Sequence, residues 1–145
     1  MLVDTSTLLR TLQPGHPQNE AARRAIEVLP QRGQKLHIVP QVLIELWVVA
    51  TRPTAQNGLG LAPAAAAVEL GRLKSLFHFL PETPAIYDTW EALVTMHQVS
   101  GKTAHDARLV AAMRVYGLTA ILTYDKDGFS RYAGIEVVHP ETVTA

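Results

Sequence analysis

Four acidic residues stand out because each lies in or beside an apolar stretch: Asp4, Glu45, Asp106 and Asp125. Asp4 ends the apolar start MLVD, and Asp125 follows the apolar run Thr119–Thr123. Several carboxylates in one cleft repel one another unless cations neutralise them, and ligand sets made only of oxygen suit Mg²⁺ or Mn²⁺. If the fold brings these acids together, they predict a site where a divalent ion assists the attack of water on a phosphodiester.

The two acids at predicted strand ends also have local explanations. Asp is a favoured N-cap residue, so the sequence DTST after Met1–Val3 can cap the helix that follows. The sequence YDKDG contains Asp125 and Asp127, and Asp and Gly are favoured in turns. At this point a turn alone explains the two acids as well as an ion site does.

Glu45 is the only charged residue in the run VLIELWVVA. This run predicts a helix that is apolar nearly all round and therefore buried on most faces. A buried carboxylate is costly unless it is paired, hydrogen-bonded or coordinated. An ion pair with Arg52 or Arg10 is the alternative to a metal site or a polar cleft.

Asp106 shares one face of a predicted helix with apolar residues at positions i+3, i+4 and i+7. This spacing places the carboxylate on the inward stripe, close to the helix N-terminus. The sequence TAHD also matches a capping box in which Thr103 is the cap and Asp106 reaches back. The adjacent His105 should point elsewhere, and we expect it at the surface.

Short apolar runs separated by longer periodic stretches predict an α/β fold with a parallel sheet between helices. The predicted strands are Met1–Val3, Leu36–Val39, Thr119–Thr123 and Ile135–Val138. The predicted helices span residues 17–31, 40–52, 64–79, 84–98 and 103–116. Ligands of open parallel sheets lie beyond the carboxyl ends of the strands, where Asp4 and Asp125 fall.

Composition narrows the class of protein. The 145 residues suit one domain with a sizeable core, and 48% of them are hydrophobic. Thirteen basic and thirteen acidic residues cancel, so any nucleic-acid partner needs a local basic patch or bound metal ions. The chain has no cysteine, which excludes a thiolate nucleophile and cysteine-ligated zinc. With no signal peptide and no membrane-length apolar run, we expect a soluble cytoplasmic protein.

The chain resembles the PIN-domain ribonucleases, specifically the VapC toxins of bacterial toxin–antitoxin pairs. Four motifs run in the family's order and cover almost the whole chain: MLVDTS, LIELWVVATRP, TAHDARLVAA and ILTYDKDGF. The resemblance implies a single PIN-like domain over residues 1–145, built as a three-layer α/β sandwich. It also implies a Mg²⁺-dependent endoribonuclease, with Mn²⁺ able to substitute, that leaves 5′-phosphate and 3′-hydroxyl ends.

The same resemblance assigns roles within the site. It implies that the catalytic acids are Asp4, Glu45, Asp106 and Asp125. It implies that the residues binding metal are Asp4, Asp106 and Asp125, and with Asp125 at the ion we assign Asp127 to the bend. The hydroxyls expected around the ion and the scissile phosphate come from Thr5, Ser6 and Thr123.

The implied partners are an RNA substrate, such as tRNA or rRNA, and a cognate antitoxin whose tail covers the acidic cleft. The antitoxin's other end would bind operator DNA, and the toxin itself would form a homodimer. The segment Ala64–Leu80 is apolar enough to form a groove or a dimer contact. An ordinary amphipathic core helix is the alternative for this segment.

A different class of function fits some of the same residues. A non-catalytic PIN-like or receiver-like module would use the acids to bind a metal and would hold RNA or a protein without cleavage. A receiver domain needs paired acids just after its first strand, whereas this strand supplies one and Asp106 lies on a helix. Magnesium-dependent cleavage of RNA separates the enzyme from the module.

Overall fold

Five parallel strands form one sheet at the centre of the protein. A computed structural model describes residues 1–145, and its strands are β1 (Leu2–Val3), β2 (His37–Ile38), β3 (His78–Phe79), β4 (Ala120–Leu122) and β5 (Glu136–Val138). Their order is β3-β2-β1-β4-β5, and every neighbouring pair is parallel. Val3 at the end of β1 pairs with Leu122 at the end of β4. The residues that follow these two strands therefore meet at one edge of the sheet.

Six helices flank the sheet: α1 (Thr5–Thr11), α2 (Asn19–Gln31), α3 (Pro40–Thr51), α4 (Pro63–Leu76), α5 (Pro84–Met96) and α6 (Thr103–Tyr116). Helix α5 packs against α6, whereas α1 packs against α2 and α3, and α3 packs against α4. The predicted α/β arrangement, a parallel sheet between helices, is confirmed. No helix combines the length and apolar character needed to cross a bilayer.

The apolar core of the two strands that carry the site is buried, as the predicted parallel sheet requires. Leu2, Val3, Ile121 and Leu122 have no exposed surface, and Met113 of α6 is equally buried in the same core. Burial of one such side chain stabilises the fold by roughly 1.5–3 kcal/mol. The strands that carry the site are therefore rigidly anchored.

One predicted helix is too long. The sequence predicts a helix over residues 64–79, but α4 ends at Leu76 and β3 follows at His78–Phe79. Phe77 takes an extended conformation (φ −114°, ψ 159°), and the amide of His78 donates to the carbonyl of Leu36 beside β2. A strand of two residues is too short to show the alternation that would reveal it in a sequence.

Two further predictions need correction. Helix α2 begins at Asn19 rather than at residue 17. The prediction that α3 is buried on most faces overlooks one exposed side of the helix, where Ile44 is 65% exposed and Val48 is 50% exposed. Apolar residues on this outer side of α3 hid the amphipathic pattern, so the sequence overstated its burial.

Candidate active site

Asp4 begins the site directly after β1. Its Oδ1 accepts a hydrogen bond from the amide of Thr5 (2.7 Å), and its Oδ2 accepts from the hydroxyls of Thr123 (2.6 Å) and Ser6 (3.2 Å). Asp4 is thus the N-cap of α1, and the capping alternative is confirmed. The cap does not exclude the predicted role, because the same bonds fix the carboxylate at the sheet edge.

A buried hydroxyl network joins the ends of β1 and β4. Thr123 is completely buried, and its Oγ1 accepts a hydrogen bond from the amide of Asp125 (3.0 Å). The Oγ of Ser6, which is only partly buried, accepts from the amide of Tyr124 (3.1 Å). The hydroxyls of Thr5 and Thr123 therefore orient acids, and contact of Thr5, Ser6 or Thr123 with a substrate stays a prediction.

Glu45 approaches Asp4 from α3. Its Oε2 accepts a hydrogen bond from the hydroxyl of Thr5 (2.9 Å), and its Oε1 accepts from the side-chain amide of Gln41 (2.9 Å). Arg10 instead donates to the side chains of Gln13 and Gln18, and no ion pair involves Glu45. The alternative of an arginine partner is therefore wrong, and polar side chains at the cleft hold Glu45.

Asp106 lies in the first turn of α6 and is partly buried. The capping box predicted as its alternative does not form. The N-cap of α6 is Lys102 without a side-chain bond, and the hydroxyl of Thr103 donates to the carbonyl of Ser100. No hydrogen bond contributes to the electrostatics of the Asp106 carboxyl. Its oxygens are therefore free to bind another group.

Asp125 and Asp106 meet at Gly128. A Cβ atom at Gly128 would lie 2.5 Å from Oδ2 of Asp125 and 2.9 Å from Oδ2 of Asp106. The amide of Gly128 also donates to Oδ1 of Asp125 (3.1 Å), which closes the bend. Asp127 is exposed and starts the 3-10 turn Asp127–Phe129, as predicted for a bend residue. The Asp125 side chain also holds the bend through this hydrogen bond, so the bend does not depend on Asp127 alone.

Sequence reasoning missed two residues of this site. The sequence predicts only a turn at Gly128, whereas the structure shows that its lack of a side chain leaves room for two carboxylates. Gln41 was not considered, although it is 7% exposed and donates to Glu45. A polar residue one helical turn before a buried acid is the signal that could have found it.

Burial and the negative charge of neighbouring acids both raise the pKa of carboxyls in this site. Burial, followed by the negative charges of Asp4, Asp125 and Glu45, raises the pKa of Asp106 to about 6. The charge of His105, which is exposed as predicted, has the opposite and smaller effect. Burial also raises the pKa of Asp4, against hydrogen bonds from Thr123 and Thr5 that lower it. The four acids therefore share one electrostatic environment.

The donor set fits a hydrated divalent cation. All four acids offer oxygen, and Asp106 presents a carboxylate without a hydrogen-bond partner beside Asp125. No three acidic or histidine side chains are arranged to hold an ion by themselves. Mg²⁺ usually keeps several water ligands and takes one or two carboxylates from the protein. The residues present would therefore suit a divalent cation that takes most of its ligands from water.

Comparisons with known proteins agree with this architecture. The PIN domain family model matches residues 1–135. Ribonuclease VapC48 of Mycobacterium tuberculosis is 24% identical over 139 residues, which cover 94% of each protein. VapC20 of M. tuberculosis, a Sarcin-Ricin loop cleaving toxin, superposes with a TM-score of 0.65 at 22% identity over 90% of this chain and 93% of that one. VapBC2 of Rickettsia felis, bound to a promoter DNA fragment, gives 0.71 at 12% identity over 95% and 96%. Since the family model spans nearly the whole chain, this protein belongs to the PIN-domain family.

Proposed function

We propose that the protein is a Mg²⁺-dependent endoribonuclease and the toxin of a toxin–antitoxin pair. The observation that carries the proposal is the Asp106 carboxylate, which has no hydrogen-bond donor and lies among Asp4, Glu45 and Asp125. Unneutralised acids in one cleft cost stability, so their retention calls for a cation. This cleft is at the carboxyl ends of β1 and β4, where open parallel sheets bind ligands.

The relatives support RNA as the substrate. VapC48 is a ribonuclease that aligns along nearly its whole length, and VapC20 cleaves the Sarcin-Ricin loop. The net charge of zero leaves little general attraction for RNA phosphates. A site that depends on a cation is consistent with that balance, because the ion supplies positive charge where the phosphate binds.

The ion and the side chains would have different roles in the hydrolysis of RNA. Bound Mg²⁺ supplies a Lewis acid that stabilises phosphate charge and makes water a better nucleophile. We assign Asp106 and Asp125, whose Oδ2 atoms both lie beside Gly128, to direct contact with the ion, and Asp4 to contact through its water ligands, because no three acids are arranged to hold an ion by themselves. Thr5 and Thr123 orient Glu45 and Asp4 through hydrogen bonds, and Ser6 offers a hydroxyl to the phosphate. Glu45, which the side chains of Thr5 and Gln41 hold at the cleft, is the candidate acceptor for the proton of the attacking water.

An antitoxin is the expected protein partner. A cavity of about 640 Å³ lies between α1, α2 and α4, with Leu12, Ile26, Leu73, Leu76 and Phe77 among its lining residues. Leu73 and Phe77 are buried in the core, whereas Leu76 is 60% exposed. The segment predicted as either groove or core therefore contributes to both. The VapBC2 complex holds promoter DNA, which supports a link to DNA through the antitoxin.

A homodimer is also part of the proposal. Ile44 and Val48 leave an exposed apolar strip on α3, and Tyr87 of α5 is 58% exposed. Large apolar side chains at a surface favour association with another protein surface. Light scattering of the purified protein would give twice the monomer mass if copies associate.

The experiment that tests the enzyme is direct. Purified protein is incubated with a panel of tRNAs and ribosomal RNAs, with Mg²⁺ or with a chelator, and the fragment ends are mapped. Endonucleolytic cuts that require the metal support the proposal. Binding of RNA without any cut would instead favour a non-catalytic PIN module.

A further inference from the structure

We propose that Gln41 is a positioning residue that fixes Glu45 relative to Asp106. The proposal rests on the proposed ribonuclease function and adds a residue that acts through Glu45. Gln41 lies one helical turn before Glu45 on α3 and is 7% exposed. Its Nε2 donates to Oε1 of Glu45 (2.9 Å) and to the backbone carbonyl of His105 (2.8 Å). One side chain thus connects the acid of α3 to the backbone beside the acid of α6.

The orientation of the Gln41 amide is determined by its partners. Arg108 donates from Nη1 to Oε1 of Gln41 (3.1 Å), and a guanidinium has only donors. The carboxylate of Glu45 and the carbonyl of His105 have only acceptors. A flipped amide would therefore face like groups on both sides and lose all three hydrogen bonds. The hydrogen bonds that run from Arg108 through Gln41 to Glu45 form a relay. This relay holds the Gln41 amide in the one orientation that supports Glu45.

Arg108 is itself anchored at the far end of the relay. Its Nη2 donates to Oε2 of Glu82 (2.6 Å), and its Nη1 donates to Oε1 of the same residue (3.2 Å). Glu82 belongs to the segment before α5, so the chain of contacts runs from this segment through α6 to α3. Thr5 holds the other oxygen of Glu45. Both oxygens of the acid are therefore held by donors from fixed elements.

The relay has a consequence for chemistry rather than for folding alone. A proton acceptor is effective only when it stays within hydrogen-bond reach of the proton it takes. Without Gln41, Glu45 keeps a single donor, Thr5, and can rotate away from Asp106. Partners that hold a reacting or ligating side chain typically account for a 10- to 100-fold effect on activity or metal affinity.

The first test uses Gln41→Met, which keeps length and removes both donors. We expect kcat for RNA cleavage to fall about 10- to 100-fold, with a much smaller change in KM. Gln31→Met, on the exposed end of α2, is the matched control and should cleave like the parent. Gln41→Met with the parent's kcat would overturn the proposal.

A second variant covers the case in which Gln41→Met folds poorly. Arg108 is more exposed, so Arg108→Met should fold, and it removes the donor that orients the Gln41 amide. Its kcat should fall less than that of Gln41→Met, and Arg108→Lys should recover part of the loss. Parent-level kcat in Arg108→Met would contradict the orienting role of Arg108.

The third test needs neither RNA nor Mg²⁺. The side-chain amide signals of Gln41 are assigned by NMR and followed in Glu45→Gln. Loss of the charged acceptor should shift them, whereas Glu136→Gln, at the exposed first residue of β5, should not. Unchanged Gln41 signals would overturn the relay. A parent that cleaves no RNA would overturn the proposed function, and the NMR comparison would still decide whether Gln41 holds Glu45.

Discussion

Thr123 donates its hydroxyl hydrogen to Oδ2 of Asp4 at 2.6 Å, which joins the carboxyl ends of β4 and β1. The hydroxyl oxygen of Thr123 in turn accepts the amide hydrogen of Asp125. One buried hydroxyl therefore positions two acids from opposite ends of the chain. Register between the two strands, Val3 opposite Leu122, makes this contact possible.

Removing the charge of Asp106 tests the assignment of the site. Asp106→Asn keeps the shape of the side chain and should reduce RNA cleavage by several orders of magnitude, because it removes a negative metal ligand. Initial rates on a mapped RNA, at saturating Mg²⁺, measure the loss. Asp88→Asn removes an exposed charge from α5 and should cleave like the parent. Equal rates for Asp106→Asn and the parent would contradict the ligand role.

The raised pKa of Asp106 predicts a pH dependence of stability in the metal-free protein. Its pKa is about 6 in the folded state, against about 3.9 in an unfolded chain. A carboxyl with a raised folded pKa contributes stability below pH 4 and loses that contribution as pH rises through 6. Asp106→Asn does not titrate, so its free energy of unfolding should exceed the parent's increasingly over this range. Allowing for partial exposure of the group, we expect about 1–2 kcal/mol above pH 7.

Urea denaturation of both proteins at several pH values, with chelator present, measures this difference. The Asp88→Asn variant should track the parent at every pH, because its carboxyl is exposed. A difference between parent and Asp106→Asn that stays constant from pH 4 to 7 would mean that Asp106 is not destabilised by its neighbours.

A sequence reveals those features of the site that depend on neighbouring residues, and it does not reveal those that depend on contacts between distant segments. Asp4 and Asp125 could be predicted because they follow apolar strands, and strand ends converge in parallel sheets. Asp106 could be predicted because helical spacing puts it on the apolar stripe. The exposure of Ile44 on α3 could not, because an apolar residue at a surface looks the same in sequence as one in the core. The role of Gln41 depends on Arg108 and the His105 carbonyl, which only the packing of α3 on α6 brings near.

Mg²⁺ should stabilise the folded protein. A ligand that binds only the folded state adds RT ln(1 + [L]/Kd), which is about 1–3 kcal/mol at ten to a hundred times the dissociation constant. The parent should melt at higher temperature with MgCl₂ than with NaCl of matched ionic strength. Asp106→Asn and Asp125→Asn should gain much less, and Asp88→Asn should gain as much as the parent. If the melting temperature of the parent does not change with Mg²⁺, then the four acids do not bind a shared ion.

The ends of the RNA products report the attacking group. Water attack with a 3′-oxygen leaving group yields a 5′-phosphate and a 3′-hydroxyl. We expect fragments that can be ligated directly and that a 5′-phosphate-dependent exonuclease degrades. Cyclic 2′,3′-phosphate ends would mean that the RNA's own 2′-hydroxyl attacks, and the role of Glu45 as proton acceptor from water would be wrong.

Gly128 offers a test of the site that leaves all four acids in place. In Gly128→Ala the new Cβ would lie 2.5 Å from Oδ2 of Asp125 and 2.9 Å from Oδ2 of Asp106, so both carboxylates must move apart. Both atoms are side-chain ends, so the fold can adjust, and we expect the free energy of unfolding to change by less than about 1 kcal/mol. Cleavage and Mg²⁺ affinity should nevertheless fall at least about tenfold, because the geometry of the acids is altered.

The matched control for this change is Gly71→Ala, which meets no atom within 4 Å on α4. It should stabilise the protein by about 0.5–1 kcal/mol, since alanine is favoured over glycine inside helices, and its cleavage should match the parent's. Rates, titrations with Mg²⁺ and urea denaturation are measured on all three proteins. If Gly128→Ala binds Mg²⁺ and cleaves RNA as the parent does, then Asp106 and Asp125 do not act on a shared ion beside this glycine.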